Sequence, residues 1–268
     1  MRSPKFMLAA LLVAVMSITA HAQDQGDAGD GSDESEPQYT LFSFKLSGGY
    51  GLGRSRQIVG FSGGDAVYYS AGQGVKMDLA LDLPLLPISV INSDGEEYGP
   101  EKVPYVGLEA ELASGYHIAN GGTTSDANGT VKRSYTYIPI TLGLNARASF
   151  GPGLPSVYIG AGGGIHLKAI YEDNVTNGTL TSVRTYDPPL PFELYGVMGL
   201  EIPLMYSADD GNSMLDLFGQ LRLTEATNYI YEYTNNASNG TSTVVKLGGE
   251  ARSASNLAFN LGIRINLY

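Results

Sequence analysis

The sequence predicts an all-β fold, a membrane-spanning antiparallel up-and-down barrel of about eight strands. Three observations carry this reading. Eight segments of roughly ten residues alternate apolar and polar side chains with period two, the strand signature. The connections between them tend to alternate long and short. After the N-terminal leader, no apolar run approaches the roughly 20 residues of a spanning helix, and only helices and closed barrels satisfy their backbone in lipid.

The leader comes first. Arg2 and Lys5 are positive, Met7 to Met16 is almost purely apolar, and Ala20-His21-Ala22 has the small-x-small form of a cleavage site. Residues 1–22 are therefore expected to be a signal peptide, cut after Ala22. Residues 23–40 form an acidic segment; Gln23 to Gln38 reads QDQGDAGDGSDESEPQ and has no apolar side chain to bury. Disorder is the expectation. An Asp-rich calcium loop does not fit, because the glutamate that closes an EF-hand loop is missing.

The barrel domain is placed at 41–268. In the first segment Phe42, Phe44, Leu46 and Tyr50 share one face, and Ser43, Lys45 and Ser47 the other. The second sets Val75, Met77, Leu79 and Leu81 against Lys76, Asp78 and Asp82. The third sets Val106, Leu108 and Leu112 against Glu109 and Glu111. The fourth, Tyr137 to Arg147, sets Ile138, Ile140, Leu142 and Leu144 against Pro139, Thr141, Asn145 and Arg147. The fifth, Val157 to Lys168, opposes Ile159 and Ile165 to Tyr158, His166 and Lys168. The sixth opposes Phe192, Leu194 and Met198 to Glu193 and Glu201. The seventh opposes Leu217 and Leu221 to Asp216 and Arg222. The last opposes Leu257, Phe259, Leu261 and Ile263 to Asn260, Arg264 and Asn266.

Long gaps follow the first, third, fifth and seventh segments: 53–74, 114–134, 169–191 and 224–255. Phe150 to Ser156 and Pro203 to Ser213 are short and turn-like. The Pro84 to Pro104 gap breaks this alternation, which leaves ten strands open beside eight. Asn128-Gly129, Asn177-Gly178 and Asn239-Gly240 mark hairpins inside three long gaps. Turn chemistry accounts for these dipeptides better than the glycosylation sequons they also spell. Pro139 would cost one ladder hydrogen bond and is expected near the outer rim, at a bulge.

The polar faces decide the type of barrel. They hold Lys45, Lys76, Arg147, Lys168, Arg222 and Arg264 against Asp78, Asp82, Glu109, Glu111, Glu193, Glu201 and Asp216. That set is nearly neutral. Without Arg2 and Lys5, the 16 basic residues fall to 14 against 27 acidic ones, a net charge of −13. A solvated face has no need of balance, whereas a narrow lumen does, since a buried unpaired charge is costly. Gly160, Gly162 and Gly164 would make room for these side chains. An eight-stranded barrel encloses little beyond its own side chains, so a plugged interior is expected. A chain this acidic is not expected to bind nucleic acid.

Chemistry-bearing motifs are sparse. There is no cysteine, and His117 and His166 are the histidines left beyond the leader. Two histidines on separate segments do not make a metal site. Gly160-Ala-Gly-Gly-Gly164 lacks the spacing and the following helix of a phosphate loop. Glu109 and Glu111 suit internal salt bridges better than acid–base catalysis. No cofactor, metal or catalytic residue is assigned.

The segments Tyr158 to Ile165, Leu194 to Glu201, Leu217 to Arg222 and Asn260 to Tyr268 resemble the later strands of the eight-stranded outer-membrane β-barrel superfamily, the OmpA/OmpX/OmpW-like barrels of the porin family. The resemblance spans Leu41 to Tyr268. It implies the bacterial outer membrane, contact with outer-membrane lipid, and insertion by the barrel-assembly machinery, which reads the last strand. Tyr268 departs from the pattern, lying on the opposite parity from Leu267. The expected role is structural or surface-interacting, through long extracellular loops that hold possible ligands, in a monomer without enzyme activity. The alternatives are a conduit for small apolar molecules and a barrel-embedded lipid hydrolase that uses His166.

Overall fold

The structure is a computed structural model that describes residues 40–54, 57–62, 65–69, 73–88, 105–126, 129–150, 153–177, 179–186, 191–206 and 213–267. The expected signal peptide, the acidic segment as far as residue 39, most of the Pro84 to Pro104 connection and Tyr268 lie outside the described residues.

Twelve strands are described. They are β1 (Phe42–Gly53), β2 (Gln57–Ser62), β3 (Asp65–Tyr69), β4 (Gly74–Ile88), β5 (Tyr105–Asp126) and β6 (Gly129–Ser149). After them come β7 (Ser156–Asn177), β8 (Leu180–Tyr186), β9 (Phe192–Tyr206), β10 (Ser213–Ala237), β11 (Ser242–Ser253) and β12 (Asn256–Leu267). Eight form a closed antiparallel ring in the order β1, β4, β5, β6, β7, β9, β10, β12. The closing pair is β12 with β1, which runs from Phe42↔Leu267 to Gly53↔Asn256. Closure removes every edge from the ring. These eight strands are the eight alternating segments of the sequence.

One end of the ring carries the short turns and the other the long connections. At the long-connection end the wall continues upward. β5 and β6 pair as far as Asp126↔Gly129, and β7 turns into β8 past Asn177↔Leu180. β10 pairs β8 on one side and β11 on the other. Gly240, at a φ of 84°, makes the β10–β11 turn that Asn239-Gly240 predicts. β2 and β3 form a separate hairpin from the 53–74 connection.

The faces are inside out relative to a soluble barrel. Leu46, Met77, Ile159, Met198 and Phe259 are exposed on the outer wall, while Lys45, Asp82, Glu201, Arg222 and Arg264 are buried within. Along β12 the alternation is strict, Asn256 buried, Leu257 exposed, and so on to Leu267. An exposed apolar wall of this extent is unfavourable in water and favourable in hydrocarbon. Toward the long-connection end, the outward apolar runs give way to Arg54, Gln73, Lys168 and Glu225, all exposed. Arg54 and Glu225 form an exposed ion pair there.

Candidate functional site

The interior is layered. Nearest the turn end, Arg264 on β12 reaches across the lumen. Its Nη2 donates to Glu109 Oε1 at 2.7 Å, its Nη1 to Glu201 Oε1 at 3.1 Å, and its Nε to Asn266 Oδ1 at 2.8 Å. Arg147 pairs with Glu201, lies 3.4 Å from Glu109 and 3.7 Å from Asp216. Lys45 Nζ sits 2.7 Å from Asp82 Oδ2 and 3.5 Å from Glu111 Oε2. Glu111 also accepts hydrogen bonds from Asn145 Nδ2 and the Tyr195 hydroxyl, both at 3.2 Å. Three cations and five carboxylates are thus knitted together by strands from all around the ring. Each charge is tolerable in this low-dielectric space because it lies beside an opposite one.

Aromatic rings separate this layer from the next. The Lys45 ammonium lies 4.7 Å from the Tyr158 ring centre, and the Arg222 guanidinium 3.7 Å from that of Tyr195. The Tyr158 hydroxyl donates to Gln220 Oε1 at 2.7 Å. Gly162 gives Tyr195 its place: a Cβ there would stand 2.7 Å from Tyr195 Cε1. Between the layers is a void of about 10 Å³, lined by Lys45, Asp78, Glu111, Gln220 and Arg222 among others. It is the size of about one water.

The upper layer is built on two histidine–carboxylate pairs. His117 Nε2 is 2.7 Å from Asp78 Oδ1, and His166 Nε2 is 2.9 Å from Glu193 Oε2. Arg222 donates to Glu193 Oε1 and to Thr141 Oγ1, each at 3.3 Å. Lys76 donates to Asn256 Oδ1 at 2.6 Å. Two basic side chains, Lys76 and Arg222, stand here with two carboxylates, Asp78 and Glu193.

Above it lies a tyrosine plug. Tyr137 stacks on His166 and meets His117 edge-on, both at 4.4 Å between ring centres. Tyr135 stacks on Tyr171 at 3.9 Å, and its hydroxyl is 3.2 Å from His166 Nδ1. Ala119, Ala169, Ala226, Ile230 and Tyr186 complete a buried apolar cluster. The plug fills the barrel where its wall extends past the ring, through stacked and edge-on ring contacts.

Of the thirteen charged residues expected inside, twelve are there. Lys168 is not: its side chain is exposed on the outer wall. The cause is a bulge. The β6–β7 register passes from Pro139↔His166 to Ile138↔Lys168, so Leu167 is an extra residue. Pro139 has no N–H to give the ladder, and the bulge absorbs that loss while reversing the parity beyond it. His166 stays inside and Lys168 turns out. Sequence reasoning put Tyr137, Tyr158, Tyr195 and His166 on the polar faces but missed the two histidine–carboxylate pairs and the plug built on Tyr135 and Tyr171. The available signal was parity, since Tyr135 and Tyr137 continue the face of Thr141, Asn145 and Arg147. Among the described residues no cluster of His, Asp and Glu is arranged to hold a metal ion.

No protein-family model and no curated protein sequence matches the chain. Solved structures do. The outer membrane protease OmpT from Escherichia coli superposes with a TM-score of 0.50 at 10% identity, covering 88% of this chain and 100% of that one. A major outer membrane protein from Thermus thermophilus gives 0.43 at 14% identity, covering 84% and 99%. The likeness to the first is one of fold. The fold is that of an outer-membrane β-barrel.

Proposed function

We propose that this barrel is a closed outer-membrane anchor whose work is done by the part that stands outside the bilayer. In this reading the termini and short turns face the periplasm. The β5–β6, β7–β8 and β10–β11 extensions, with the β2–β3 hairpin, face outward as a structural or surface-interaction platform. The observation that carries it is the filled interior: two charged layers and a tyrosine plug, with a one-water void between the layers. A conduit for small apolar molecules would need a continuous path lined by apolar groups. The described lumen is instead crossed by short ion pairs.

Absence of enzyme activity is part of the same proposal. The Escherichia coli neighbour is a protease by name, but the similarity to it is of fold alone. Both histidines are buried, His117 at 4% and His166 at 1% exposure, beneath the tyrosine plug. A substrate would have to displace that plug to reach either imidazole.

Planar-bilayer recording tests the proposal. Purified refolded protein is expected to give no steady single-channel current at neutral pH. Stable, reproducible conductance steps would overturn the closed interior and favour the conduit. Loss of an acyl chain from outer-membrane glycolipid on expression, abolished by His166→Ala, would instead establish the hydrolase.

A further inference from the structure

One step beyond the tyrosine plug, the inner face of the wall turns polar. The plug's own row runs Tyr135↔Tyr171↔Tyr186↔Tyr233 across β6, β7, β8 and β10. Two residues further along each strand, the same face carries Arg133↔Asp173↔Arg184↔Asn235, and Thr243 of β11 ends the row. This row holds two cations and one carboxylate. Asp173 is buried and already committed. The Tyr186 hydroxyl donates to its Oδ2 at 3.1 Å, and Arg133 Nε lies 3.8 Å from its Oδ1. Arg184 is left over. It is the register partner of Asp173, yet among the described residues its guanidinium makes no ion pair and no hydrogen bond.

That cation is held by the wall rather than freely solvated. Arg184 is half-buried, its Nε is enclosed without a partner, and its guanidinium carbon sits 5.7 Å from the centre of the Tyr233 ring. Asn235 beside it is also half-buried, with Oδ1 enclosed and unpartnered. Enclosed polar atoms without partners mark a place where a partner is missing. The polar atoms of these two side chains that are not enclosed are the Arg184 Nη nitrogens and Asn235 Nδ2. All of them are donors. Adjacent donors with a positive charge select an anion, and the planar guanidinium fork matches two oxygens of a carboxylate or phosphate. We propose that Arg184, with Asn235 beside it, forms an anion site in the outer mouth of the barrel, which takes the carboxylate or phosphate group of a soluble ligand. The ligand is soluble because the row shares the inner face with the plug, whereas lipid headgroups meet the opposite face of these strands. The plug is the floor on which it stops. In a chain this acidic the attraction is local, set by Arg133 and Arg184 against the one carboxylate of the row.

This site deepens the surface-platform reading and rests on it for the outward direction of the long-connection end. The test is calorimetric titration of the refolded full-length barrel in nonionic detergent with sodium phosphate and, separately, sodium acetate, at an ionic strength fixed with sodium chloride. The unmodified protein is expected to bind one anion per barrel, and the tighter of the two names the acidic group of the ligand. Arg184→Gln should weaken binding about tenfold or more, the loss of a charge-assisted hydrogen bond. Arg184→Lys keeps the charge but not the fork, so its affinity should fall between the two. Arg54→Gln removes an arginine of the outer wall at the same end and should leave binding unchanged. Arg184→Gln breaks no ion pair, so its urea midpoint without added anion should equal that of the unmodified protein. If it lacks heat-modifiable gel mobility, Arg184→Lys carries the test. No binding of either anion, equal binding by Arg184→Gln, or an equal loss in Arg54→Gln would each overturn the site. Orientation is read separately, by labelling Thr243→Cys on intact cells with a membrane-impermeant maleimide. Protection of that thiol would overturn the outward platform and move the same anion site to the periplasmic mouth.

Discussion

Arg264 of β12 and Glu109 of β5 meet at 2.7 Å inside the barrel, although 155 residues separate them in the chain. The pair ties the last strand to the far wall of the ring. Both side chains are almost fully buried. Removing Arg264 strips Glu109 of its shortest ion pair and leaves it with Arg147 at 3.4 Å, a loss of buried charge compensation that costs about 3–5 kcal/mol. Arg264→Met is therefore expected to lower unfolding free energy by that amount in urea titration of the barrel in detergent. Arg264→Met with Glu109→Gln should be less destabilised than the sum of the two single changes, because both remove the same short contact. Additive losses would mean that the pair is not coupled.

The plug makes a separate prediction. Tyr135 and Tyr137 are at 0% and 2% exposure, packed on Tyr171 and both histidines. Replacing either with Ala should cost about 3–5 kcal/mol through lost burial and the cavity left behind. Conductance should remain absent even in the double variant, because the two charged layers below are untouched. A channel opened by the double variant would show that the plug alone seals the barrel.

Lys168 tests the bulge. If it faces outward, Lys168→Ala should shift stability by less than about 0.5 kcal/mol, as surface changes do. Lys45→Ala, which removes the nearer of Asp82's two cations and leaves Arg264 at 3.5 Å, should cost about 3 kcal/mol or more. Comparable losses from the two substitutions would place Lys168 inside after all.

The ring was legible in the sequence because lipid outside and charge inside impose a strict period of two on each strand, as in β12. The direct signal weakens where the wall leaves hydrocarbon. On β6 above Ile138 the outward residues are Thr136 and Ser134, and the inward ones are Tyr137 and Tyr135. Water outside and tyrosine inside reverse the contrast, so the alternating segment reads only from Tyr137 onward and the strand above it reads as loop. Lys168 was misplaced for a related reason. Parity carries a side assignment along a strand only until a bulge, and Pro139 signals the bulge without saying which residue of the partner strand is the extra one.

The inside-out wall is most directly tested by a cysteine scan. The chain has no cysteine of its own, so each introduced thiol reports alone. Single cysteines at positions 257 to 267 on β12, in folded barrels reconstituted into vesicles, would carry a polarity-sensitive fluorophore quenched by lipid-attached spin labels. Leu257, Phe259, Leu261, Ile263 and Ile265 are predicted to label and be quenched, while Ala258, Asn260, Gly262 and Arg264 resist labelling in the folded state. The opposite parity, with the apolar positions protected and the polar ones open to water-soluble reagent, would contradict the account and make this a soluble barrel with an apolar core.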